Sequence, residues 1–143
     1  MSVGSAQERG PVDAPRLVVD VDGTLTIDDS TPDYRAKEPR RDVIERVNAL
    51  HAAGVRIVLY SARNMRTYAG NVGLINKHTL PVLIAWLAEH GVRYDEIHMG
   101  KPWCGTEGFY VKLRSMRPSQ FLALPMDALQ TIIAGGEPGS HGT

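Results

Sequence analysis

Two aspartates near the amino end of the chain have the spacing of a reactive pair. Asp20 and Asp22 end the apolar run of residues 17–19, and in extended backbone they project to the same side. Gly23 then allows the chain to turn away sharply. One carboxylate of such a pair can attack phosphorus while the other transfers a proton, and together they can hold a hard cation. The alternative is a polar strand end whose carboxylates cap a turn.

Polar residues also follow the next two apolar runs. Ser61 comes directly after residues 55–60, and Lys101 stands in a Gly-Lys-Pro turn after residues 96–99. Alone, Ser61 is more typical of a helix N-cap, and Lys101 of a solvated surface. Because the carboxyl ends of parallel strands meet at one edge of a sheet, we expect both residues to lie near Asp20, where they can bind phosphate.

Four further residues are candidates for contact with a substrate. They are Thr24, Arg63, Asn64 and Trp103. Trp103 either lines a pocket formed by residues 102–110 or belongs to the core, as aromatic residues more often do. Cys104, the only cysteine, has no histidine near it in the sequence and is not proposed as a nucleophile. The five histidines lack metal-ligand spacing, so no zinc site is predicted.

The elements that must position these residues alternate between strands and helices. Strands are predicted at residues 16–23, a run that ends in a glycine turn, and at residues 55–60, 96–99 and 109–112. Helices are predicted at residues 39–53, 78–90 and 118–133. Pro125 should bend or split the last helix. Residues 64–77 are left open as a loop or a short helix. This alternation predicts an α/β fold with a mainly parallel sheet and helical crossovers.

Length and charge restrict the domain organisation and the partners. A chain of 143 residues suits one domain, predicted at residues 16–133, between disordered tails at 1–15 and 134–143 that are rich in glycine, proline and charge. The formal net charge of zero argues against nucleic acid or an anionic membrane as the main partner. We recognise neither a signal peptide nor a membrane span, which predicts the cytoplasm. The oligomeric state stays open.

The motifs together resemble a known superfamily. Asp-Val-Asp-Gly-Thr-Leu-Thr at residues 20–26, followed by Ser61 and Lys101, resembles the haloacid dehalogenase superfamily of phosphotransferases. Residues 61–68, 70–73, 76–81, 100–105 and 107–110 are similar to the small capsule-biosynthesis phosphatases of that superfamily. The resemblance runs from about residue 16 to about residue 121. It implies a Rossmann-like three-layer sandwich without a large cap domain.

The resemblance also implies a role for each matching residue. Asp20 corresponds to the nucleophile that becomes an aspartyl-phosphate, and Asp22 to the general acid/base. Both are implied ligands of Mg²⁺, Asp22 through its backbone carbonyl. Ser61 and Lys101 correspond to the phosphate-binding residues. The implied function is a Mg²⁺-dependent phosphatase acting on a small phosphorylated sugar or sugar-like precursor in polysaccharide biosynthesis.

One part of the chain departs from the family pattern. After Gly-Phe-Tyr-Val the family has two consecutive aspartates that complete the Mg²⁺ site, whereas this sequence has Lys112 and Leu113. A lysine beside Asp20 would oppose a divalent cation or take its place. The alternative function is therefore a pseudophosphatase, which binds a phosphorylated ligand or a protein partner with impaired turnover.

Overall fold

The computed structural model describes residues 15–27, 33–100, 109–111 and 114–134. The strands are β1 (Arg16–Asp20), β2 (Arg56–Ser61), β3 (Glu96–Met99), β4 (Phe109–Val111) and β5 (Arg114–Met116). The helices are α1 (Arg41–Ala52), α2 (Val72–His78), α3 (Leu80–Glu89), α4 (Pro118–Ala123) and α5 (Met126–Ile133), with a 3₁₀ turn at Tyr34–Ala36. The predicted disordered tails fall outside the described residues, apart from positions 15 and 134.

The strands form one five-stranded sheet in the order β3-β2-β1-β4-β5. β1 pairs in parallel with β2, and β2 with β3, which makes the three-stranded parallel part of the sheet. Successive residues of β2, which point to opposite faces of the sheet, are buried, so both faces of this strand are covered. The predicted α/β Rossmann-like fold is confirmed, and the described residues contain no large cap.

The core fills the space between the sheet and the helices. α1 buries Val43, Ile44, Val47 and Leu50, whose spacing places them on one helical face. The fully buried Trp86 of α3 donates its indole N–H to the carbonyl of Lys37 at 2.9 Å. None of the helices in the described ranges has the length and apolar character needed to cross a membrane.

The helices differ from the sequence prediction in their bounds. The undecided stretch 64–77 contains turns followed by α2, and the side chain of Asn71 caps this helix by accepting a hydrogen bond from Leu74 N at 3.1 Å. The last predicted helix is split into α4 and α5 around Pro125, as expected. Proline lacks the N–H that would continue the helical ladder.

The fourth strand runs antiparallel to its neighbours in the sheet. β4 pairs antiparallel with β1, with Val19 opposite Phe109 and Val18 opposite Tyr110, and it forms an antiparallel hairpin with β5. The chain therefore moves away from Asp20 as it runs from Phe109 to Val111. Lys112 and Leu113 themselves lie outside the described residues.

Candidate active site at the carboxyl ends of β1 and β2

Parallel pairing brings Asp20, Asp22 and Ser61 to one edge of the sheet. Asp20 lies opposite Tyr60 in the register of β1 and β2, and Ser61 ends the neighbouring strand. Asp20 is 5% exposed and Ser61 is 1% exposed. The Ser61 hydroxyl donates to Asp22 Oδ2 at 3.4 Å. The structure thus places these three residues together, as predicted from the order of the strands.

The turn after β1 is built around Gly23. This residue has φ +82°, a left-handed conformation that favours glycine, and its N–H donates to Thr26 Oγ1 at 3.0 Å. The carbonyl of Val21 accepts hydrogen bonds from the amides of residues 24–26. Thr24, a candidate for substrate contact, is fully buried within this turn. The compact turn fixes the backbone between Asp20 and Asp22.

Arg63 is the cation of the site within the described residues. Its side chain is fully buried, Nε donates to Asp22 Oδ1 at 2.8 Å, and its backbone N–H donates to Ser61 Oγ at 3.1 Å. Both oxygens of Asp22 are therefore held by neighbours. Nη1 and Nη2 of Arg63 are also buried, and neither donates a hydrogen bond within the described part of the chain. A buried donor without a partner costs about 1–3 kcal/mol.

Tyr34 covers the guanidinium of Arg63 and was not predicted from the sequence. The Arg63 Cζ atom lies 4.4 Å from the centroid of the Tyr34 ring, which is a cation–π contact. Burial, followed by the nearby Asp22 carboxylate, raises the pKa of the Tyr34 hydroxyl, so the phenol stays neutral at physiological pH. The segment around Tyr34 has no hydrophobic period, and nothing in the sequence marks this contact.

Asn64 connects the site to the helical layer. It has φ +61°, a conformation that asparagine tolerates better than most residues. Its Oδ1 accepts from Thr79 Oγ1 at 2.6 Å, and its Nδ2 donates to Thr67 Oγ1 at 3.2 Å. Because both ends of the amide contact the protein, Asn64 orders the loop after β2. Its predicted contact with a substrate stays a prediction.

The third strand ends at the same edge, immediately before Lys101. Ser61 lies opposite Met99 in the register of β2 and β3. Gly100 follows with φ +82°, and a Cβ atom there would lie 2.9 Å from Val72 Cγ2. The start of α2 thus packs directly against the turn that leads to Lys101. Lys101 and Trp103 fall outside the described residues.

The oxygen donors at this edge meet the minimal needs of Mg²⁺. Protein sites for Mg²⁺ commonly supply only one or two carboxylates and leave the remaining positions to water and substrate phosphate. Asp20 would supply a carboxylate and Asp22 its backbone carbonyl, since Ser61 and Arg63 bind both oxygens of the Asp22 carboxylate. No group of three or more His, Cys, Asp or Glu residues that could hold a metal occurs among the described residues. The donor chemistry therefore fits a magnesium ion that also depends on the substrate for ligands.

Comparison with solved structures relates the chain to a bacterial protein. A crystal structure of a structural-genomics target from Vibrio cholerae is 52% identical in sequence and covers 82% of this chain and 95% of that chain, with a TM-score of 0.72. No protein-family model and no curated protein matches the sequence. Because more than half of the aligned residues are identical over nearly the whole Vibrio protein, this chain belongs to the same family as that protein.

Proposed function

We propose that this protein is a phosphoric monoester hydrolase of the haloacid dehalogenase type. The observation that carries the proposal is the convergence of Asp20, Asp22 and the Ser61 hydroxyl at the carboxyl edge of a parallel sheet. A nucleophile, an acid/base group and a donor to phosphate oxygens are the parts that this reaction requires. The family resemblance of the surrounding motifs supports the same assignment.

In the first half of the proposed reaction, a carboxylate oxygen of Asp20 attacks phosphorus. The bond between phosphorus and the ester oxygen breaks as the aspartyl-phosphate forms, and protonated Asp22 gives its proton to the departing alcohol. In the second half, Asp22 takes a proton from water, which attacks the phosphoryl group and restores Asp20. Ser61 and Arg63 hold both oxygens of Asp22, so its carboxyl group has a fixed orientation throughout.

Asp20 and Asp22 would hold the Mg²⁺ ion in this scheme. When bound, the ion would neutralise charge on the phosphoryl oxygens. The chain's own contribution is to bring two carboxylates together and to offset one of them with Arg63. Ser61 supplies a buried hydroxyl at the same edge.

The proposed substrate is a phosphorylated sugar or a sugar-like precursor used in polysaccharide biosynthesis in the cytoplasm. The similarity of residues 61–68 and 100–105 to capsule-biosynthesis phosphatases supports this substrate class. The Asp-Val-Asp-Gly-Thr segment is typical of the wider superfamily and supports only the reaction type.

A second candidate function is binding of a phosphorylated ligand without turnover. The observation that favours it is the replacement of the two family aspartates by Lys112 and Leu113. Among the described residues, the Asp20 carboxylate and the Asp22 backbone carbonyl are then the groups that would hold the metal at this edge, so affinity for Mg²⁺ would depend on a small set of ligands.

Hydrolysis of an aryl phosphate separates the two functions. The assay compares the protein with added Mg²⁺, the protein with a chelator, and the Asp20→Asn variant with added Mg²⁺. A phosphatase is expected to release phosphate with Mg²⁺ and to lose nearly all activity in the other two samples. Binding of inorganic phosphate without detectable turnover would support the second function. Turnover that is unchanged in Asp20→Asn would contradict the aspartyl-phosphate mechanism.

A further inference from the structure

The guanidinium of Arg63 has donors that the proposed mechanism does not use. Asp22 occupies Nε, whereas the buried Nη1 and Nη2 atoms donate no hydrogen bond within the described residues. A fully buried cation with free N–H groups is unfavourable unless an acceptor reaches it. Arg63 therefore has the characteristics of a group that binds a ligand, in addition to its contact with Asp22.

The contacts of Arg63 fix the plane of its guanidinium. Tyr34 stacks on one face, with its ring centroid 4.4 Å from Cζ, and the Asp22 carboxylate binds at the Nε edge. The N–H groups of a guanidinium lie in its plane, so stacking on a face leaves them available to acceptors in that plane. A planar pair of N–H donors matches two oxygens of a phosphoryl group.

We propose that Arg63 is a phosphate-binding residue, which donates hydrogen bonds from Nη1 and Nη2 to oxygens of the substrate's phosphoryl group while Nε holds Asp22. The inference rests on the proposed function for the identity of the ligand. In this arrangement the Arg63 side chain contacts both Asp22, the proposed acid/base group, and the phosphoryl group of the substrate. Because Asp22 and Tyr34 already hold the Arg63 side chain in place, this side chain loses little conformational entropy when phosphate binds.

The first test measures the affinity for inorganic phosphate by calorimetric titration. The samples are the unaltered protein, Arg63→Gln, Arg63→Lys and the control Arg56→Gln. Arg56 is also buried and binds Glu96 through Nε at 2.6 Å. It begins β2, so roughly 16 Å of strand separates it from Ser61 at the other end.

Arg63→Gln is expected to weaken phosphate binding about tenfold or more, because hydrogen bonds to a charged group are lost. Arg63→Lys keeps the charge without the paired donors and should recover part of the affinity. Arg56→Gln should bind phosphate within about twofold of the unaltered protein, because it changes the same residue type far from the site. If phosphate affinity in both folded Arg63 variants equals that of the unaltered protein, Arg63 is a structural ion pair and the proposal is wrong.

The second test needs no substitution, so it holds even where a variant fails to fold. A crystal structure of the unaltered protein with inorganic phosphate should show Nη1 or Nη2 of Arg63 at about 2.7–2.9 Å from a phosphate oxygen. Phosphate bound at Asp20 and Ser61 without contact to Arg63 would overturn the inference, as would the absence of phosphate from the site.

Measuring ester hydrolysis alongside phosphate binding distinguishes a failure of this inference from a failure of the proposed function. If the unaltered protein binds phosphate through Arg63 and hydrolyses no ester, the hydrolase proposal fails and the assignment of Arg63 stands. If it hydrolyses esters and the Arg63 variants match its KM, kcat and phosphate affinity, the hydrolase proposal stands and the assignment of Arg63 fails.

Discussion

The two ends of the β1–β2 pair contain similar charged residues in different arrangements. At the amino end, Glu96 binds Arg56 Nε at 2.6 Å through one oxygen. Its other oxygen lies 2.8 Å from Nε2 of His98, which stands farther along β3, opposite Tyr60. Asp95 accepts the backbone N–H of Ile57 at 2.8 Å. Each carboxylate of this amino-end cluster is therefore engaged by neighbouring donors, and the cluster connects β2 to β3.

The carboxyl end holds its cation differently. Arg63 binds Asp22 through Nε, and its buried Nη1 and Nη2 atoms donate no hydrogen bond within the described residues. The non-glycine residues with positive φ in the described ranges, Asn64 and Ala69, both lie in the loop that follows this end. A left-handed conformation costs an alanine about 1–2 kcal/mol.

The comparison separates a structural cluster from a candidate site. Evolution keeps strain and unsatisfied charge where the surrounding structure holds them for a purpose, and such features gather at active sites. The amino-end cluster connects β2 to β3 through paired charges. The carboxyl end has buried guanidinium N–H donors that the oxygens of a phosphorylated ligand would satisfy.

The largest expected effect is the difference in activity between two variants that each lose a carboxylate, one at each end. Asp20→Asn should lower the rate of aryl phosphate hydrolysis by at least about 10³-fold, because it replaces the proposed nucleophile with a neutral amide of the same size. Glu96→Gln makes the same chemical change at the amino end and should keep kcat within about twofold. Steady-state kinetics on folded samples checks both. Equal losses in the two variants would mean that the ends do not differ in function.

Ser61→Ala is expected to have a smaller effect. It removes the hydroxyl that donates to Asp22 and accepts from Arg63 N, so kcat/KM should fall by about 10²-fold. The matched control is Thr131→Ala, which removes a hydroxyl that donates to the carbonyl of Asp127 in α5. The control should leave kcat/KM unchanged, and a similar loss in both variants would contradict the role of Ser61.

Two glycines with positive φ test the turns at the two ends. Gly100→Ala would place a Cβ 2.9 Å from Val72 Cγ2, whereas Gly54, with φ +97°, has no atom within 4 Å of the added Cβ. Both variants should lose about 1–2 kcal/mol of unfolding free energy from backbone strain. Gly100→Ala should also lose activity, because the turn that leads to Lys101 must shift.

The double variant Val72→Ala with Gly100→Ala removes the steric clash with Val72 and keeps the backbone strain of alanine at position 100. It should recover activity without recovering the stability lost to strain. Thermal unfolding and kinetics together check this expectation. If Gly54→Ala lowers activity as much as Gly100→Ala, the position of the turn after β3 does not matter for catalysis.

The smallest expected effect is a pH dependence of stability at the amino end. The hydrogen bond from His98, followed by that from Arg56, lowers the pKa of Glu96 below its ordinary value of 4.5. The ionised group therefore stabilises the fold above about pH 4.5, and this contribution is lost as the pH falls through the lowered pKa. Chemical denaturation should show the protein more stable than Glu96→Gln at pH 6, with the difference shrinking toward pH 3. A stability difference that does not change with pH would contradict the pairing of Glu96 with His98 and Arg56.

The sequence predicted the parts of the site that depend on strand order. Asp20, Asp22 and Ser61 could be placed at one edge because each ends or follows an apolar run that reads as a buried strand. The split at Pro125 followed from the missing N–H of proline. These predictions rest on local chemistry and on the common edge of parallel strands.

Other features depend on tertiary contacts that leave no local signal. Tyr34 reaches Arg63 from a 3₁₀ turn with no hydrophobic period, so their stacking could not be predicted. The sequence left the direction of β4 open, because a three-residue strand has no helical crossover to constrain its pairing. The contacts of the Asn64 amide with Thr67 and Thr79 likewise have no signal in the local sequence.

The central claim is that Asp20 forms a covalent phosphoryl intermediate at the carboxyl end of β1. Its most direct test is to quench the protein during turnover of an aryl phosphate in Mg²⁺, trap the acyl-phosphate with hydroxylamine and locate the modified residue by peptide mass spectrometry. The account predicts a hydroxamate on Asp20 that is absent without substrate and absent in Asp20→Asn. Turnover with no modification, or with modification of a different residue, would contradict it.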